Sequence, residues 1–165
     1  MSQYTIIKYR IWKVVSRELA GLISAQQNLK YLKILQSHDC AVFTADIITS
    51  LTKFPNTLIT IYLYEERHRF TSHSFIAKYT HLQEIILSFY EQDSFEDFGK
   101  LQYVPFSRLQ VLKFEYKYPK YELLINFLKN NGKGLKEFYL TDSDNSLYSA
   151  MVKFYPKLKR LFTDL

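Results

Sequence analysis

The chain has 165 residues, 47% hydrophobic and 23% charged, with one cysteine, four glycines and four prolines; that suffices for one domain with its own core, is short for two, and excludes an internal disulfide. No run approaches the roughly 18 consecutive apolar residues of a membrane span, and the N-terminus lacks the apolar core of a secretory signal, so a cytoplasmic or nuclear protein is expected. The net charge of +6 is uneven, with ten Lys+Arg against five acids in residues 1 to 82 and twelve against eleven in residues 83 to 165, which disfavours a continuous track for nucleic acid.

In chain order, YTIIKY (4 to 9) places Tyr4, Ile7 and Tyr9 at the first, fourth and sixth places of an LxxLxL phrase, and residues 16 to 27 read as a helix behind it. NLKYLKI (28 to 34) and TLITIYL (57 to 63) repeat the phrase. SHSFIAKY (72 to 79) predicts a short helix capped by Ser72 or Ser74, before HLQEIIL (81 to 87). DSFEDFGKL (93 to 101) predicts a helix starting at Asp93 or Ser94, its acids in the first turn where the dipole favours them, before RLQVLKF (108 to 114). KYELLINFLKNNG (120 to 132) puts Leu124, Phe127 and Leu128 on one helical face and offers Asn131 with a left-handed Gly132 as the stop, before GLKEFYL (134 to 140). NSLYSAMVKFYP (145 to 156) carries a stripe of Leu147, Met151 and Phe154 that ends at Pro156, before KLKRLFT (157 to 163).

The leading residues Leu29, Leu58, Leu82, Leu109, Leu135 and Leu158 are spaced by 29, 24, 27, 26 and 23, the period of leucine-rich repeats. The expected fold is α/β: one leucine-rich-repeat solenoid over 1 to 165, with a worn N-terminal repeat (1 to 28), six repeats (29 to 165) and a curved parallel sheet. The alternative, an ordinary α/β domain, needs helices on both faces of the sheet. Since side chains alternate along a strand, Leu29, Leu32 and Ile34 and their equivalents point into the core. The residues between them face outward in two columns. The first runs Tyr31, Thr60, Glu84, Val111, Glu137, Arg160; the second runs Lys33, Tyr62, Ile86, Lys113, Tyr139, Phe162. Aromatic rings beside Lys, Arg and Glu suit a protein partner, with Tyr62 and Tyr139 as anchors. A loop or terminal cap over Ile86 and Phe162 is the competing expectation.

ELAGLISAQQNLKYLKI (18 to 34), FIAKYTHLQEIILSFY (75 to 90), FEDFGKLQYVPFSRLQVLKF (95 to 114), FLKNNGKGLKEFYL (127 to 140) and MVKFYPKLKRLF (151 to 162) together resemble the repeat region of divergent fungal F-box/leucine-rich-repeat proteins. The resemblance implies a receptor whose repeats hold a protein substrate for ubiquitination. In that family an F-box of about 40 residues docks to a Skp1-type adaptor. No Leu-Pro pair of the F-box kind occurs here, so adaptor binding is expected only with an F-box upstream. The ninth places hold Ser37, Glu66, Tyr90, Lys117 and Ser143 where many repeats carry Asn or Cys, which departs from regular horseshoe curvature.

Catalytic, metal and cofactor chemistry find little support. His38, Asp39 and Cys40 are adjacent, whereas catalytic partners converge from distant positions. His68, His73 and His81 lack a completing carboxylate or thiolate and read as exposed loop histidines, and no phosphate-cradling or nucleophile-elbow motif occurs. Neither an enzyme nor a cofactor is expected. Two further readings stand beside the ligase receptor: a stand-alone repeat module for protein contacts, and, less favoured, a nucleic-acid binder using Lys8, Arg10, Lys13, Lys30 and Lys33 with Tyr31 as a stacking ring. A worn first repeat also leaves an N-terminal edge open to self-association.

Overall fold

The computed structural model describes residues 6–10, 20–21, 23, 25–26, 28–36, 45–52, 57–66, 73–141 and 158–164. Tyr4, the His38-Asp39-Cys40 triplet, His68 and the helix expected over 145 to 156 lie outside them.

The apolar phrases form strands. These are β1 (Ile6–Arg10), β2 (Tyr31–Gln36), β3 (Thr60–Glu65), β4 (Glu84–Phe89), β5 (Val111–Tyr116), β6 (Glu137–Thr141) and β7 (Arg160–Asp164). They build one α/β architecture around a seven-stranded parallel sheet whose spatial order is the chain order. Equivalent places pair: Ile7 with Leu32, Leu32 with Ile61, Ile61 with Ile85, Ile85 with Leu112, Leu112 with Phe138 and Phe138 with Leu161. A one-residue slip would turn every apolar side chain outward, so the pattern itself fixes the register.

The same hydrogen-bonded junction recurs where each strand begins. The Lys30 carbonyl accepts from the N–H groups of Ile59 and Thr60 at 2.8 and 3.0 Å, and the Ile59 carbonyl from Gln83 and Glu84 at 2.8 and 3.2 Å. Gln83 accepts from Gln110 and Val111 at 2.8 and 3.0 Å, Gln110 from Lys136 and Glu137 at 2.8 and 3.0 Å, and Lys136 from Lys159 and Arg160 at 2.8 and 3.1 Å. A sequence repeat has become a repeat of backbone geometry.

The connections differ in helix type, and the spacing of their apolar residues explains why. His73, Ile76, Tyr79 and Leu82 are buried at intervals of three, and the N–H of each of the last three bonds to the carbonyl three residues before it. Phe95, Phe98 and Leu101 repeat that interval. Three residues per turn is the 3-10 period, and both segments, Ser74–Lys78 and Gln92–Lys100, are 3-10 helices. The expected Ser72 or Ser74 cap is not used: His73 occupies the cap position without a side-chain bond. Glu91 rather than Asp93 or Ser94 precedes the second, although Asp93 does sit in its first turn. By contrast, Leu124, Phe127 and Leu128 follow the 3.6-residue period and are buried from α2, Tyr121–Asn131. A short helix α1, Ala45–Leu51, which the sequence reading did not single out, buries Leu51.

Gly132 does not take the left-handed stop expected of it. Its φ is −73°, and the chain runs on as a 3-10 turn, Gly132–Gly134. Asn131 is committed elsewhere: its Oδ1 accepts from the Phe106 N–H at 2.7 Å and its Nδ2 donates to the Phe127 carbonyl at 3.2 Å. The buried amide thus ties α2 to the connection behind β5.

The core cluster runs from Ile23 to Leu140 and lies between the sheet and these connections, joining Leu32, Ile61, Ile85, Leu112 and Phe138 to Phe75, Phe98, Phe106 and Phe127. Among the described residues, no helix or turn packs on the opposite face. All-parallel sheets in doubly wound folds are covered on both sides; this one carries polar and aromatic residues on its second side.

Candidate functional site

The pairing reproduces both outward columns. Tyr31, Thr60, Glu84, Val111, Glu137 and Arg160 are successive partners across β2 to β7, as are Lys33, Tyr62, Ile86, Lys113, Tyr139 and Phe162. The side chain of Phe162 lies outside the described residues.

The columns are cross-linked by short polar contacts. Lys113 Nζ lies 3.8 Å from Glu84 Oε1, and Arg160 Nη1 lies 3.3 Å from Glu137 Oε1. Lys33 Nζ sits 3.9 Å from the centre of the Tyr62 ring and Lys113 Nζ 4.4 Å from that of Tyr139, distances at which a ring face attracts a cation. The Thr60 hydroxyl donates to Glu84 at 3.2 Å and the Tyr139 hydroxyl to Glu137 at 3.2 Å. Each side chain is held by a neighbour from another strand or its own, so the face is ordered without a ligand.

Two of the expected contact residues contribute little surface. Ile86 and Thr60 are both only 9% exposed. Ile86 is flanked in register by Tyr62 and Lys113, and side chains of that length enclose a shorter neighbour, with no loop or cap required among the described residues. Tyr31, Lys33, Tyr62, Glu84, Lys113, Glu137 and Tyr139 remain half-exposed and Arg160 exposed.

A third column was not singled out from the sequence. Tyr64, Ser88 and Glu115 are register partners in β3, β4 and β5, and Tyr90 and Tyr116 join them at the strand ends. Tyr90 stacks on Tyr116 with ring centres 3.8 Å apart and meets Tyr64 edge-on at 6.0 Å. Tyr64, Tyr90 and Tyr116 recur at intervals of 26 residues, a signal that was available but lies beyond the LxxLxL window. Tyr116 pairs with the buried Phe89 and by alternation would enter the core. Instead it adopts φ 75° and is 44% exposed, beside Tyr90 at 40%.

The electrostatics follow from this packing. Burial, then the Glu84 charge, raises the Tyr31 hydroxyl above its ordinary value. Burial also raises Tyr62, whose hydroxyl donates to Glu115 Oε2 at 3.1 Å, and Tyr64, whose hydroxyl donates to Glu66 Oε1 at 3.1 Å. Hydrogen bonding to Tyr90 raises Tyr116 first, with burial second. The rings therefore stay neutral donors and apolar platforms at physiological pH.

His73 departs from its expected place in an exposed loop. It is buried with its ring centre 4.7 Å from that of Phe89, as its position in the three-residue apolar spacing requires. Glu65, paired with Phe89 on the core side of β3, is fully buried. Among the described residues, no group of three His, Cys, Asp or Glu is placed to hold a metal, and no helix is long and apolar enough to cross a membrane. Comparison with protein-family models, with characterised proteins and with solved structures returns no match, so function is argued from the face itself.

Proposed function

We propose that the chain is a leucine-rich-repeat solenoid that binds a protein target across the open face of its sheet. One observation carries this reading: the outward columns align strand by strand into a polar and aromatic surface on which no described segment packs. Tyrosines steadied by Lys and Glu lose little side-chain freedom on association, which favours them as anchors. The resemblance of the repeats to fungal F-box proteins supports a more specific form, the substrate-recognition part of a ubiquitin ligase. An F-box would then supply the contact with a Skp1-type adaptor, and the purified chain alone is expected not to co-elute with that adaptor.

Site-specific photocrosslinking tests the binding face. A crosslinker replacing Tyr139 should capture the target from extract. One replacing Asn126, exposed on α2, should not. Capture at 126 alone would place the interface on the wrong side of the sheet.

A further inference from the structure

Resting on the reading of this face as a partner surface, we infer that Glu115 and the Tyr62, Tyr64, Tyr90 and Tyr116 rings form an arginine-reading site for a basic segment of the target. The charges on the face single out one residue. Of the three acidic side chains described there, Glu84 pairs with Lys113 and Glu137 pairs with Arg160. Glu115 accepts only the Tyr62 hydroxyl at 3.1 Å among the described contacts. A half-buried carboxylate with that single partner keeps acceptor positions for a cation.

The rings beside it fit the same ligand. Tyr116 and Tyr90 are the most exposed rings of this cluster, and their stacking makes a flat platform next to Glu115. Tyr62 and Tyr139 each have one of the chain's own lysines over the ring, whereas no described cation lies over Tyr90 or Tyr116. Tyr116 reaches the platform only through a left-handed backbone that is costly for a residue with a side chain. The strain is compatible with a ring kept available for contact. Arginine fits better than lysine because a planar guanidinium stacks on a ring while its edge forks onto a carboxylate.

A hollow of about 250 Å³ on the other side of Tyr116, lined by Lys117, Tyr118 and Lys120, offers the opposite chemistry. It makes an acidic peptide the competing occupant. The test uses fluorescent peptides of alternating glycine and arginine, with citrulline and glutamate counterparts, against the full chain.

The arginine peptide should bind, and its citrulline counterpart should bind at least about tenfold more weakly, the scale of a charge-assisted hydrogen bond. Glu115→Gln and Tyr116→Ala should each cost about fivefold or more, and Glu122→Gln, on the outside of α2, should cost nothing. Melting curves confirm that each variant is folded; Glu115→Gln keeps shape and remains decisive if Tyr116→Ala does not fold. Equal binding of arginine and citrulline peptides, preference for glutamate, or an unaffected Glu115→Gln would overturn the inference. If target crosslinking at 139 survives such a result, the binding face stands and only its arginine preference falls.

Discussion

At the scale of single residues, burial and hydrogen bonding make opposite predictions for two polar side chains. Asn131 satisfies the Phe106 N–H from inside the core, so Asn131→Ala should leave a buried donor unpaired and cost about 1 to 3 kcal/mol in urea unfolding. Tyr79 is buried and its hydroxyl has no hydrogen-bond partner, so Tyr79→Phe should be neutral or stabilising by about 1 kcal/mol. A loss of stability in the second variant would mean that the hydroxyl is bonded. Such roles were poorly legible in the sequence. Asn131 before a glycine reads as a helix stop, and only the proximity of Phe106, 25 residues earlier, shows that its amide is used across the fold.

At the scale of elements, glycines separate local from tertiary constraint. Gly21 is helical and exposed, with nothing within 4 Å of where a Cβ would stand, so Gly21→Ala should stabilise by about 0.5 to 1 kcal/mol through helix propensity. At Gly134 the added Cβ would lie 3.0 Å from the Leu109 carbonyl oxygen, a backbone atom that cannot swing away. Gly134→Ala should cost about 1 to 3 kcal/mol, the usual price of overpacking, and equal melting temperatures for the two variants would contradict this packing of neighbouring repeats. Strands were legible because LxxLxL sets both face and register. Helix type was legible in principle too, since Phe95, Phe98 and Leu101 at intervals of three favour 3-10 geometry over α. The left-handed turn at Tyr116 was not: a tyrosine gives no local sign of positive φ, and the cause is the ring stack with Tyr90 from the adjacent repeat.

At the scale of the whole molecule, stability should fall in alkali. Tyr31, Tyr62, Tyr64, Tyr79, Tyr116 and Tyr139 all have pKa values raised in the fold, Tyr116 chiefly by Tyr90 and the others chiefly by burial. The folded chain holds these protons more tightly than the unfolded one. The stabilisation is therefore complete below about pH 10, the ordinary tyrosine value, and is lost as pH rises through the raised values. Urea midpoints should drop between about pH 8 and pH 11, and less steeply in Tyr79→Phe; parallel behaviour of the two proteins would remove Tyr79 from the cause. The same division between core and face applies to Leu112, which is fully buried with paired neighbours on both sides. Leu112→Asp should abolish cooperative melting, because an unpaired buried carboxylate costs several kcal/mol against a total stability of about 5 to 15.

The outward columns are the central claim, and a Tyr62→Ala, Tyr139→Ala double variant tests them most directly when melting and target capture are measured on the same preparation. Both rings lie on the open face, outside the core cluster, so the melting transition should stay close to that of the parent chain. Capture of the target should weaken by about 2 kcal/mol or more, as expected for the loss of interface anchors. Strong destabilisation, or undiminished capture by a folded double variant, would contradict the assignment of this face.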